Sequence, residues 1–422
     1  MTVLRAGLVA ALLIMAISGA SGAPDQADTL YRSCRDSLYQ IRVIELTSGK
    51  KAGIGTAFGV STNGLLATNY HVVQDVVDHP NLYRLECAGA DGKPVAGKII
   101  DVDVVHDLAV VLREDRPAAR LTLSRTPIEK GVSVFSFGDP LDLGMAIVTG
   151  TYNGIMEKRF HEQALFSGSL NPGMSGGPAV DRDGQVIGIN VSTMGQQIGF
   201  LVPVKYLTAL LDRLSDAGLD APLDLHPRIE QQLFDDQLQF MSRLMDAEWV
   251  HDRVGAALVP RISTDILDWW GRADSDTEAL YEHTVASCAS RERTRLSSSF
   301  ETGLFVYQCE WYASKGLIPP RFYSLLAGEF EDTAKLNAAK KDDVTNFETR
   351  SAFVRMAGRD WLVVFSARNY KRYPRLYDLV VKMASVSDFD RALLVDLALC
   401  GVSEDSGLAF VNKFMEEMQW QK

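Results

Sequence analysis

The stretch Asn171-Pro172-Gly173-Met174-Ser175-Gly176-Gly177-Pro178 decides how the first half of this chain is read. It sets one hydroxyl among closely spaced glycines. Glycine accepts backbone angles that other residues avoid and lets a second chain approach closely. The amides of Gly173 and Ser175 can therefore converge on one developing oxyanion, as acyl transfer by a serine requires. A glycine-rich turn between two strands is the plain alternative. The flanking sequence has to separate the two.

Downstream of Ser175 come Pro178-Ala179-Val180, the turn Asp181–Gly184, then Val186-Ile187-Gly188-Ile189. That is strand, turn, strand. The Gly-x-Ser-x-Gly elbow of α/β-hydrolases needs strand, sharp turn and helix, with the acid and histidine after the serine. The base is therefore sought upstream. Thr68-Asn69-Tyr70-His71-Val72-Val73 follows Gly64-Leu65-Leu66-Ala67, so His71 sits at a strand end entering a helical turn. His106-Asp107-Leu108-Ala109-Val110-Val111 is an acid opening an apolar strand. The order His71, Asp107, Ser175, with separations of 36 and 68 residues, is one known order of a catalytic triad. Asp101, Asp103 and Asp115 are alternative acids, but none directly precedes the Leu-Ala-Val run.

With Gly55-Thr56-Ala57-Phe58, Ile187–Asn190 and Ile198–Pro203 added, residues 52–205 resemble the protease domain of the Do-like, high-temperature-requirement serine peptidases of the chymotrypsin clan. The resemblance covers under half of the chain. It implies an all-β double six-stranded barrel with the triad in the cleft between the barrels. Ser175 would attack, His71 would shuttle its proton, and Asp107 would orient the histidine. The Gly173 and Ser175 amides would form the oxyanion hole. Ser169, six residues before the nucleophile, would floor the substrate pocket, with Ile189 and Asn190 also lining it. An uncharged floor predicts small or medium apolar side chains before the cut. Met174 departs from the pattern, since relatives commonly carry Asn or Asp there, and no PDZ-like pattern follows residue 218.

Short strands are expected at Leu38–Leu46, Gly53–Val60, Tyr83–Cys87, Val95–Val105, Leu108–Leu112, Val132–Phe137, Ala146–Ile155, Val186–Ser192 and Ile198–Val202. The pattern changes at Pro203. Val204–Leu214 has helical apolar spacing, and 228–246 reads as a second helix. Farther on, Phe305–Tyr312 alternates like a strand, Arg321–Leu336 reads as a helix, and Ser351–Ala367 as a hairpin turning at Ala357–Asp360. The expected organisation is a signal peptide at 1–22, a trypsin-like protease domain at 30–218, and a separate α+β domain at 219–422 without an assigned role. The aromatics of this second half, among them Trp311, Trp361 and Tyr370, are expected mostly to fill its core.

Arg5 followed by the apolar run Ala6–Ile17 and the small residues Ser18–Ala23 has the layout of a cleaved export signal. The run is too short to span a bilayer, which needs about 20 apolar residues. The mature protein is therefore expected outside the cytoplasm, periplasmic or secreted, without stable membrane insertion. A net charge of −11 argues against a nucleic-acid partner and leaves polypeptides as the expected substrates. No Cys-x-x-Cys or His-Glu-x-x-His stretch exists, so no metal or cofactor is expected. Export makes disulfides permissible. Cys34–Cys87 and Cys288–Cys309 are the expected pairs, with Cys400 a buried free thiol. The function expected is a serine endopeptidase, possible duties in extracytoplasmic quality control included. The rival from another class is a catalytically weak binding or chaperone-like protein on the same scaffold.

Overall fold

The computed structural model describes residues 26–115, 119–193, 197–217, 224–273, 279–291, 293–331 and 339–420. The expected signal peptide and the domain boundary at 218/219 lie outside these residues. After a helix α1 (Gln26–Cys34), six strands close an antiparallel barrel: β1 (Leu38–Glu45), β2 (Lys51–Gly59), β3 (Leu65–Thr68), β4 (Tyr83–Ala88), β5 (Pro94–Asp103) and β6 (Leu108–Arg113). Helix α2 (Tyr70–Asp78) interrupts it after β3. A second six-stranded barrel follows: β7 (Ser133–Gly138), β8 (Ala146–Ile155), β9 (Ala164–Phe166), β10 (Pro178–Val180), β11 (Val186–Thr193) and β12 (Gly199–Pro203). The double barrel expected from the sequence is the observed architecture.

Successive side chains of a strand point to opposite faces. In β6, Ala109 and Val111 join Ile41, Leu66 and Val102, while Leu108 and Val110 meet Phe58, Phe135 and Phe137 between the barrels. Both faces of the strand are covered, so its sequence is apolar from Leu108 to Leu112 rather than alternating. Helix α3 (Val204–Ala217) closes the first half, burying Leu207, Leu210 and Leu214 in the same inter-barrel cluster.

Helix α4 (His226–Asp246) opens the second half, followed by strands β13 (Glu248–Val254) and β14 (Ala257–Ser263). A seven-stranded antiparallel sheet then combines β15 (Leu267–Ala273), β16 (Tyr281–Ser290), β19 (Phe305–Ser314), β23 (Arg391–Val402), β22 (Tyr377–Ser385), β21 (Arg359–Asn369) and β20 (Glu348–Met356), in that spatial order. The short strands β17 (Thr294–Ser297) and β18 (Phe300–Thr302) form a separate hairpin. Helix α5 (Pro319–Glu331) lies against Tyr312 and Leu394. On the opposite face α4 and α6 (Glu404–Glu416) pack over Tyr307, Val395 and Leu397. Trp361, Tyr370 and Tyr312 are buried, whereas Trp270 is 66% exposed.

The two halves share a core. Tyr70, Val73 and Val77 of α2 pack in one buried cluster with Ile229 and Leu233 of α4, Leu296 and Phe300 of the β17–β18 hairpin, and Tyr370 and Tyr373. Ion pairs reinforce the joint. Asp101, fully buried, receives Arg213 of α3 at 2.9 Å and Arg228 of α4 at 2.6 Å. Asp78 at the end of α2 receives Arg372 at 2.7 Å. The second half is thus a β-rich unit with its own sheet, but its attachment to the first barrel is a buried apolar cluster flanked by ion pairs.

The disulfide expectation is corrected: all five cysteines are free and buried. Cys34 belongs to the inter-barrel cluster and Cys87 to the cluster under α2, so they face different cores. Cys288 lies opposite Tyr307 and Cys309 opposite Ala286. The two thiols are thus diagonal neighbours on adjacent strands, a relation about 7–8 Å across. A disulfide needs Cβ atoms about 3.5–4.5 Å apart. Burial pushes every one of these thiols up, Cys87 to about 12, which leaves them protonated and inert.

Candidate active site

His71 and Asp107 meet because a strand end and a tight turn face each other across β3 and β6. Asn69 ends the strand in extended geometry, and α2 begins at Tyr70. The turn before β6 places Asp107 in the left-handed region at φ 55°. Its carboxylate then makes two bonds to one residue. Oδ1 accepts the backbone N–H of His71 at 2.8 Å, and Oδ2 stands 2.6 Å from His71 Nδ1. Asn69 Nδ2 donates to the Asp107 carbonyl at 2.8 Å and fixes the turn itself. An aspartate so placed holds the Nδ1–H tautomer and leaves Nε2 free as a base. The other candidate acids are spent elsewhere: Asp101 on two arginines, Asp103 on His106 at 2.8 Å, Asp115 on Arg113 at 2.6 Å.

The Ser175 loop is built around a β-turn. Met174 N–H donates to Asn171 O at 3.0 Å, with Pro172 and Gly173 in the central positions. Gly173 has φ +96°. Proline first and a positive φ second define a type II turn. Leu141 N–H holds the Pro172 carbonyl at 2.9 Å. In a planar trans peptide the Gly173 N–H points the other way. Neither it nor the Ser175 N–H has an acceptor among the described residues. Two unspent amides beside one hydroxyl are what a developing oxyanion requires. A methyl at Gly173 would stand 2.3 Å from Asp139 O, and one at Gly176 would stand 2.2 Å from Thr56 O, so both positions need glycine.

Thr56 braces this turn from the first barrel. Its Oγ1 donates to Gly173 O at 2.7 Å and accepts from Asp139 N at 3.0 Å, while its own N–H donates to Ser175 O at 2.8 Å. Asn190 braces from below, with Nδ2 donating to Phe137 O at 2.8 Å and to Met174 O at 3.2 Å, and Oδ1 accepting from Ser136 at 2.7 Å. Met174 is fully buried in the second barrel, where its side chain fills space rather than pairing with a charge.

Not every expected residue falls into one site. Ser175 Oγ donates to Val191 O at 3.3 Å and makes no hydrogen bond to His71 among the described residues. Ile189 is fully buried among Phe135, Val202 and Leu207, and Asn190 is spent on its bracing bonds. Neither reaches the surface. Ser169 is exposed on the loop before Ser175. Beside it, Leu170 and Phe166 crowd Gly199.

A cavity of about 240 Å³ adjoins His71 and Asp107, walled by Val104, Val191 and His161 and, from the second half, by Arg293, Thr294, Arg295 and Glu301. Sequence reading assigned no role to Thr56, Leu141 or these arginines. Thr56 lies in a quoted motif, but its partner Gly173 is 117 residues away. Nothing in the sequence around Arg293 points at the first barrel.

Residues 55–189 match the trypsin-like peptidase domain family. Among curated relatives, Protease Do-like 1, chloroplastic, from Arabidopsis thaliana is 29% identical over 205 residues, 44% of this chain and 43% of the relative. The "Probable periplasmic serine endoprotease DegP-like" of Chlamydia muridarum is 30% identical over 176 residues, 39% of this chain and 34% of the relative. The solved serine endoprotease from Yersinia pestis matches at 22% identity and TM-score 0.41, over 46% of this chain and 67% of that one. The chain spans between 34% and 55% of the length of such curated relatives.

Proposed function

We propose, from the premise that residues 55–189 are a trypsin-like peptidase domain, that this chain is a serine endopeptidase acting through an acyl-enzyme. The observation that carries the reading is the joint presence of an oriented His71 and two unspent amides around Ser175. Ser175 Oγ attacks the scissile carbonyl as its proton passes to His71 Nε2. The oxyanion is held by the Gly173 and Ser175 amides, and Asp107 steadies the imidazolium. His71 then protonates the leaving amine, and a water repeats the sequence on the ester. His71, Asp107 and Ser175 are the catalytic residues of this reading. The bond from Ser175 Oγ to Val191 O favours the rival reading of a weakly catalytic binder. Catalytic bonds in unliganded enzymes often form only with substrate.

The polar n-region and apolar run at the amino terminus support export. No helix among the described residues is long and apolar enough to cross a membrane. The place of action proposed is periplasmic or extracellular, and the substrate class is polypeptide, unfolded chains in quality control among them. Turnover of casein is compared with that of a short ester by the purified protein and by Ser175→Ala. Casein cleavage lost in the variant supports a peptidase, whereas ester turnover alone assigns an esterase.

A further inference from the structure

The β17–β18 hairpin reaches the catalytic helix from the second half. Tyr70, fully buried next to His71, donates its hydroxyl to Leu296 O at 3.1 Å. Leu296 and Phe300 are 2% and 3% exposed, packed with Val73 and Val77 of the same helix. The hairpin is therefore a fixed wall of the cavity beside His71, and no hinge is needed to bring it there. Arg293 and Arg295 are exposed on that wall and line the cavity together with Glu162 and Glu301.

Most charged groups of the cavity have a partner. Glu162 is taken by Lys205 at 2.6 Å, and Asp107 by His71. Arg295 stands 3.5 Å from Glu301. Arg293 lines the same cavity, is exposed, and makes no ion pair among the described residues. A guanidinium offers a planar fork of donors suited to a carboxylate.

We propose that the second half completes the substrate cleft, and that Arg293, helped by Arg295, selects a carboxylate carried by the bound polypeptide close to the cleaved bond. The inference rests on the peptidase reading for what occupies the cleft, but not on turnover. An acidic side chain and a free chain terminus present the same chemistry to the arginine.

Full-length Ser175→Ala is titrated by fluorescence anisotropy into labelled, C-terminally amidated octapeptide pools. The pools differ only in carrying Asp or Asn at one position, and a third pool carries Asn with a free terminal carboxylate. A partly exposed ion pair predicts that a carboxylate pool binds roughly fivefold more tightly. The preference should vanish in Ser175→Ala/Arg293→Glu and fade at about 1 M salt. Preference for Asp assigns a side chain, and preference for the free terminus alone assigns a chain end. Equal binding of all pools, or a preference that survives Arg293→Glu, overturns the inference. Labelling of the parent protein by a fluorophosphonate is read in parallel. Labelling without carboxylate preference sinks this inference alone. An Arg293-dependent preference without labelling sinks the peptidase reading and leaves the carboxylate site standing.

Discussion

His71 Nδ1 stands 2.6 Å from Asp107 Oδ2, and the backbone N–H of the same histidine donates to Asp107 Oδ1 at 2.8 Å. One carboxylate thus fixes both the ring and the first turn of the helix that carries it. In Asp107→Asn the backbone bond can persist through the amide oxygen, but an N–H then faces Nδ1 and forces the wrong tautomer. Turnover should fall by about 10⁴ while the fold is retained. Circular dichroism beside peptide hydrolysis checks this, and near-parental activity would contradict it.

Thr56→Val tests the brace under the oxyanion turn. The change is close to isosteric, yet it removes the donor to Gly173 O and the acceptor of Asp139 N. Leaving two buried polar groups unpaired should cost about 1–3 kcal/mol in chemical denaturation. If the Gly173 amide loses its aim, turnover should drop on the order of 10². Active-site titration separates fewer working sites from slower ones.

The shared core predicts that the first half does not stand alone. Leu296→Ala should lower stability by about 2–5 kcal/mol, as deletion of a buried leucine does. A chain ending at Ala217 uncovers Tyr70, Val73 and Val77, and should bind a hydrophobic dye or aggregate. A monomeric, fully active truncation would show that the attachment is dispensable.

His226 supplies a pH dependence at this joint. Its pKa is raised by Asp78, whose Oδ1 stands 3.6 Å from Nε2, and by Asp224 at 2.6 Å from Nδ1, with burial opposing. A folded value above the unfolded one, about 6.5, gives stability that is complete below that pH. The contribution is lost as pH rises through the folded value. Discounted for solvent, it should stay under about 1 kcal/mol. His226→Gln should flatten the stability profile above pH 6.5, and an unchanged slope would refute the linkage.

How much of this was legible follows from what each feature depends on. Most barrel strands could be read because turn residues such as Arg182-Asp183-Gly184 punctuate apolar runs only a few residues long, whereas β9, three residues in Ala164–Phe166, was not read. The pairing of His71 with Asp107 was legible as a motif order. Helix α1 was not, because Gln26–Cys34 is a short, mostly polar segment that fully buries only Leu30 and Cys34. The helix expected at Arg321–Leu336 runs from Pro319 to Glu331, and residues 332–338 lie outside those described. The pocket roles of Ile189 and Asn190 came with the family resemblance, whereas in β11 Ile189 is buried in the inter-barrel cluster and Asn190, on the other face of the strand, is bonded to Phe137 and Met174. The arginines at the cleft were invisible, since only the packing of Leu296 and Phe300 on α2 brings them there.

The most direct test of the central claim is the site of covalent capture. The full-length protein is treated with a fluorophosphonate, digested, and the adduct located by mass spectrometry, with Ser175→Ala and His71→Ala treated alike. A single adduct is expected on the peptide carrying Ser175, absent from Ser175→Ala and formed far more slowly in His71→Ala. An unmodified Ser175 in the folded parent protein, or equal labelling of all three, would contradict it.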